Sequence, residues 1–137
     1  MQTTRRAFDM GLAEITTLPG VTLQCGIDLA LELVDDRDAT GSAHLEVALA
    51  GSLYPMMTLL LKGSMAVIMR IDADGGDVMI AEGDGSVAPA VAVEFDSPVG
   101  REPFTGEVIL ADSLARDALR AFMDSQPWPD GIRWRTV

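Results

Sequence analysis

The pattern of apolar residues between positions 44 and 110 constrains this chain more than any other feature. Short apolar or alternating segments recur there, and each ends at a glycine-containing turn such as Gly63-Ser64 or Gly75-Gly76. Segments of this length, bounded by turn residues, are typical of β-strands. The pattern predicts strands at 44–49, 56–62, 65–72, 78–81 and 90–95, with 104–110 as a short strand or an extended link.

Helical spacing is found on both sides of this region. A helix is predicted over 112–125, because its apolar residues fall on one stripe and Pro127 forbids continuation. A second helix is predicted over 27–38, with Asp28 in the first turn, where a carboxylate suits the helix dipole. A shorter helix is predicted over 6–15 from the spacing of its apolar residues, which are Phe8, Leu12 and Ile15.

The order of these elements indicates the fold class. N-terminal helices precede five to six strands, which are followed by the C-terminal helix and a last strand at 132–137. A run of strands followed by a helix favours an α+β fold with a mostly antiparallel sheet. Because 137 residues correspond to one domain, we predict a single α+β domain over 1–137, with a poorly patterned segment at 1–26.

The formal net charge of −11 is concentrated in one part of the chain. The stretch 72–112 holds ten carboxylates and a single base, Arg101. Such a balance argues against nucleic-acid binding through phosphate neutralisation. It fits either a solvated face or a negative surface for a basic partner.

Residue types that carry chemistry are scarce, and we expect no catalytic, cofactor or metal site. The single cysteine, Cys25, excludes an internal disulfide and a cysteine-based metal site. The sequence His44-Leu45-Glu46 matches part of the zinc-deaminase pattern, but the two thiolate ligands are missing. The acidic stretch 72–83 fails the calcium-loop pattern at positions six and twelve and is interpreted as a turn.

Methionine and tryptophan are the remaining candidates for a binding surface. Five of the eight methionines lie in predicted strands, where core packing is favoured and a Met-lined pocket is the alternative. Trp128 stands between Pro127 and Pro129, where it either packs under the last helix or forms a partly exposed anchor. No apolar run is long enough to span a bilayer and no signal-peptide core is seen, so we expect a cytoplasmic protein without a membrane partner.

The C-terminal third resembles the immunity proteins of bacterial polymorphic toxin systems, a family that includes inhibitors of deaminase-type toxins. The resemblance lies in the helix over 112–125, the stop at Pro129 and the hydrophobic-x-Trp strand Ile132-Arg133-Trp134. Ser125-Gln126 replaces the family's usual Thr-Gly, and the first 40 residues have no counterpart.

The resemblance implies a non-catalytic protein that binds and occludes a cognate toxin, one that is basic at its active site. The partner-binding residues that we predict are Asp74, Asp77, Glu82, Asp84 and Trp128. Two alternatives remain open: a small-molecule-binding or enzymatic domain with a Met-lined pocket, and a self-associating structural domain that forms a homodimer through exposed strand edges.

Overall fold

The computed structural model describes residues 11–18 and 20–137, and these form ten strands and two helices. The elements are β1 (Ala13–Thr17), β2 (Val21–Cys25), α1 (Ile27–Asp35), β3 (Ser42–Leu49), β4 (Met56–Lys62), β5 (Met65–Ile71), β6 (Met79–Ala81), β7 (Ala92–Ser97), β8 (Gly100–Thr105), β9 (Leu110–Ala111), α2 (Asp112–Met123) and β10 (Trp134–Thr136). A 3-10 turn, Gly106–Val108, joins β8 to β9. The α+β prediction is confirmed, but the strand count exceeds the five to six predicted.

Eight strands form one sheet in the order β10-β6-β5-β4-β3-β1-β2, with β9 paired to β5. All pairings among the described strands are antiparallel. The predicted hairpin of β4 and β5 is confirmed, with Lys62 opposite Met65 across the Gly63-Ser64 turn. Strands β7 and β8 pair only with each other and form a separate hairpin.

The sheet is covered on both faces, which explains the apolar runs of β4 and β5. Leu59 and Leu61 belong to the core beneath the helices, whereas Leu60 belongs to the core beneath the β7–β8 hairpin. In β5, Ile68 and Val67 divide between the same two cores. A strand that is buried on both faces shows a continuous apolar run instead of an alternating one.

The predicted helix over 6–15 is wrong where the structure describes it. Residues 13–15 lie in β1, and 6–10 fall outside the described residues. In β1 the buried Ala13 and Ile15 alternate with Glu14 and Thr16, a period of two that outweighs the helical spacing. The segment 21–25, which has little pattern of its own, forms β2, so the described part of the chain has one N-terminal helix and not two.

The helix predicted over 27–38 ends three residues early, at Asp35. Asp36 is already extended, with ψ of 141°. The Arg37 guanidinium donates to the carbonyl oxygens of Val34 and Asp36, so these two hydrogen-bond acceptors at the end of the helix have a partner. An acidic helix end opposes the helix dipole, and Arg116 of α2 compensates by pairing with Asp35.

The remaining helix and strand predictions are confirmed, with small shifts in the residues at which the elements begin and end. The C-terminal helix begins at Asp112 as predicted and ends at Met123, and its N-terminus has no side-chain cap. The Asp112 carboxylate, in the first turn of this helix, instead pairs with Arg37 at 3.4 Å. The predicted link over 104–110 holds the end of β8, the 3-10 turn and the start of β9.

Candidate functional site

The four predicted carboxylates do not form one cluster. Asp74 and Asp77 lie in the loop between β5 and β6 and are exposed. Glu82 and Asp84 follow β6, where Glu82 is partly exposed and Asp84 is exposed. The extended residues Met79–Ala81 stand between the two pairs and span about 10 Å.

Glu82 and Asp84 are occupied with contacts inside the molecule. Arg135 Nε lies 3.8 Å from Glu82 Oε1, and the same guanidinium is 4.0 Å from Glu107. The Asp84 carboxylate accepts hydrogen bonds from the backbone N–H groups of Ser86 and Ala111, each at 2.9 Å. Burial raises the pKa of Asp84, but these hydrogen bonds outweigh it and hold that pKa below its usual value. Asp84 is therefore placed as a structural residue that fixes the start of α2.

Trp128 is half-buried in an aromatic cluster. Its ring centroid is 6.1 Å from that of Phe122 in α2 and 5.1 Å from that of Trp134 in β10. The guanidinium carbon of Arg70 lies 4.6 Å from the Trp134 ring centroid and 5.4 Å from that of Trp128. Trp128 thus packs under the last helix while keeping part of its ring exposed.

Arg70 connects this aromatic cluster to the acidic loop. It is a β5 residue whose side chain pairs with Asp72, at the start of the loop that carries Asp74 and Asp77. We call the resulting surface the acidic–aromatic corner, defined as Arg70, Asp72, Asp74, Asp77, Trp128 and Trp134. Of the predicted site residues, Trp128 contacts Arg70, and Asp74 and Asp77 lie in the loop that Asp72 opens. Glu82 also lies near this corner, because its backbone N–H donates to the carbonyl oxygen of Arg133, next to Trp134.

The sequence reasoning missed Arg70 and Trp134 as parts of this surface. The sequence did contain a signal that Arg70 has a specific contact, because Arg70 is the only charged residue in Met65–Ile71. An arginine in a largely buried strand needs a partner. Its Nε and the Nε1 of Trp134 are buried without a hydrogen-bond partner in the described part of the chain. The stacking of Arg70 on Trp128 and Trp134 and its ion pair with Asp72 therefore hold the cluster together.

The fold buries the single thiol of the chain. Cys25 is buried, and burial raises the pKa of its thiol, which disfavours the reactive thiolate. Within residues 11–18 and 20–137, no group of three or more histidine, cysteine, aspartate or glutamate side chains could hold a metal ion. The same residues contain no helix with the length and hydropathy needed to cross a membrane.

Three of the five strand methionines, Met57, Met65 and Met69, pack into the two cores. Met57 is fully buried in the core under the helices, where Met123 of α2 also lies. Met65 and Met69 pack against the core under the β7–β8 hairpin. At these four positions methionine therefore fills space between the layers, as the first of the two interpretations predicts.

A comparison with models of known protein families finds no match, and a comparison with curated proteins finds none either.

Proposed function

We propose that this chain is a non-catalytic binding protein of the immunity type, which occludes a basic toxin through the acidic–aromatic corner. The observation that carries the proposal is that Arg70 stacks on the half-buried Trp128 and pairs with Asp72, which opens the loop that carries the exposed Asp74 and Asp77. Trp and Arg are enriched at binding hot spots, and complementary charge speeds association. The resemblance of the C-terminal third to immunity proteins supports a toxin as the class of partner.

The electrostatics of the corner fit a basic partner. Asp74 and Asp77 are exposed, and the only arginine of the corner is stacked on two tryptophans and paired with Asp72. An incoming lysine or arginine would therefore meet free carboxylates beside an aromatic ring, which is a suitable environment for a cation.

The proposal predicts that a toxin module is encoded beside this chain in its genome, and co-expression of the chain with that neighbouring gene product tests it. We expect the chain to restore growth to cells that produce the toxin. Replacing Asp74→Lys and Asp77→Lys together should abolish or strongly weaken the rescue, because both carboxylates face solvent and the change reverses the local charge.

The matched control is the double variant Glu32→Lys and Asp117→Lys. These carboxylates are exposed on α1 and α2, outside the corner, and the change in net charge is the same. Full rescue by this control is expected. Equal rescue by the corner variant, or no rescue by the unaltered chain, would contradict the proposal.

A second candidate function, self-association, is favoured by the edge strand β2. In the described sheet β2 pairs with β1 on one side only, and it contains no charged residue. Val21 and Leu23 are 52% and 37% exposed. An uncharged, apolar edge is a template for a further strand. Antiparallel pairing of two copies centred on Leu23 would place apolar Val21 opposite apolar Cys25 of the second copy.

Sedimentation velocity over the micromolar concentration range tests this second candidate. Leu23→Lys should reduce self-association, whereas Leu53→Lys, at a loop position that is 68% exposed, should leave it unchanged. A monomer at every concentration would reject self-association and leave the first proposal standing.

A further inference from the structure

A cleft opens where β3 runs past the end of β1, in the half of the sheet that does not contain the acidic–aromatic corner. The pairing of β1 with β3 stops at Thr17 opposite Leu45, whereas β3 begins at Ser42. Two adjoining hollows of about 220 and 460 Å³ lie there, and both are lined by Thr17, Leu18 and His44.

His44 is a buried polar group with no internal partner. The residue is 5% exposed, it lines both hollows, and its ring makes no hydrogen bond to any residue that the structure describes. Burial lowers the pKa of His44, against the opposing effect of the Glu46 and Glu102 carboxylates. A neutral imidazole keeps one ring nitrogen as a hydrogen-bond acceptor.

Three acidic residues, Asp36, Asp38 and Asp96, line the smaller hollow beside His44, and one hydroxyl joins the last two. The Thr40 hydroxyl is 2.6 Å from Asp38 Oδ1 and 3.4 Å from Asp96 Oδ2. The backbone N–H groups of Thr40 and Ser42 also donate to Asp38 Oδ1, at 2.8 and 3.0 Å. These hydrogen bonds lower the pKa of Asp38, so it is ionised at neutral pH.

The cations near the hollow leave these carboxylates largely uncompensated. Arg37 lines the hollow, but its guanidinium donates to backbone carbonyl oxygens and to Asp112. Arg101 approaches Asp96 no closer than 3.8 Å, and its side chain is 71% exposed. The rest of the wall is apolar and includes Leu18, Leu33 and Leu45.

We propose that this cleft binds a primary ammonium group carried on an aliphatic stem. Asp38 and Asp96 would accept from the ammonium, the acceptor nitrogen of His44 would take a further hydrogen, and the stem would lie against the leucines. An ammonium has three donors and no acceptor, which matches a site made of carboxylates and a neutral imidazole. The proposal does not depend on the function proposed above.

The test uses the ring proton of His44, which is the only histidine of the chain and gives an unambiguous NMR signal. Titration with n-butylammonium should move this signal saturably, with a dissociation constant on the order of 1 mM. Titrations with n-butanol and butyrate, which have the same stem without the cation, should not. An equal response to all three compounds, or no saturable shift with n-butylammonium, would overturn the proposal.

The variant Asp96→Asn should weaken n-butylammonium binding by about tenfold, the loss expected for one charged hydrogen bond. The control Glu94→Gln removes the same charge from the same strand but lies outside the cleft lining, so binding should be unchanged. Equal weakening by both variants would mean that the effect comes from the overall charge of the protein, and it would reject the site.

A titration with Nα-acetyl-lysine amide shows whether the ammonium ligand comes from a protein partner or from a free amine. Tighter binding of this compound indicates the lysine of a protein partner, and tighter binding of n-butylammonium indicates a free amine.

Discussion

At the scale of single residues, Asp84 is the clearest link between a side chain and the fold. Its carboxylate holds the backbone N–H groups of Ser86 and Ala111. Asp84→Ala should lower the free energy of unfolding by about 2 kcal/mol at neutral pH, because it leaves both donors without their acceptor. Urea denaturation measures this loss, and Asp74→Ala, at an exposed loop position, should change the free energy by less than about 0.5 kcal/mol.

The pH dependence of that contribution has a definite sign. The pKa of Asp84 is lower in the folded chain than in the unfolded one, so its stabilisation is fully present above about pH 4. It is lost as pH falls through the folded-state pKa. The stability difference between the unaltered chain and Asp84→Ala should therefore shrink in acid. A difference that stays constant down to pH 2 would contradict this role.

His44 predicts a second pH effect, in a separate window. Because burial lowers its pKa in the folded state, the unfolded chain takes up a proton first as pH falls below about 6.5. Stability should therefore decrease below that pH until the folded-state pKa is passed. Denaturation of His44→Gln at pH 5.5 and 7.5 tests this, since the variant should show a smaller difference between the two pH values.

At the scale of elements, the β7–β8 hairpin is the part whose attachment depends most on side-chain packing. It has no strand pairing to the main sheet, and Phe95 is fully buried between them, 5.8 Å by ring centroid from Phe104. An isolated hairpin is marginally stable at best. Phe95→Ala should therefore cost about 3–4 kcal/mol and loosen this hairpin before the main sheet.

Hydrogen exchange measures that loosening directly. Amides of β7 and β8 should exchange faster in Phe95→Ala, while those of β4 and β5 should change less. Val99→Ala, at a position of the same hairpin that is 83% exposed, should behave like the unaltered chain. Uniform acceleration across all strands would mean that the hairpin and the sheet open together.

At the scale of the whole molecule, the acidic surface divides into parts with different roles. In the stretch 72–112, Asp84 supports the backbone, Glu82 and Glu107 pair with Arg135, and Asp74 and Asp77 face solvent. Net charge predicts a field around a protein but not which carboxylates are free to meet a partner. The structure supplies that division for this stretch, and it leaves Asp74 and Asp77 exposed.

The fold class and most of the strands could be predicted because each strand is short, apolar and bounded by glycine. The β1–β2 hairpin could not be predicted, since the exposed strand Val21–Cys25 has little pattern and depends on pairing with β1.

Gly83 and Gly106 resemble ordinary turn residues in the sequence. A Cβ at either would lie 2.1 Å from a backbone oxygen, so both are needed for close backbone contact, which only the folded chain reveals. The contact between Arg70 and Trp128 joins segments that are distant in the sequence, so it too is revealed only by the folded chain.

The most direct test of the central claim is the dissociation constant between this chain and the neighbouring gene product that the account predicts to be a toxin module, measured by calorimetry at low and high salt. The account predicts tight binding that weakens with salt and that the Asp74→Lys and Asp77→Lys changes reduce by at least about tenfold, equivalent to 1.4 kcal/mol. The Glu32→Lys and Asp117→Lys control should bind nearly as well as the unaltered chain. Absence of binding, or binding that neither salt nor the corner variant alters, would contradict the claim that the acidic–aromatic corner covers a basic partner.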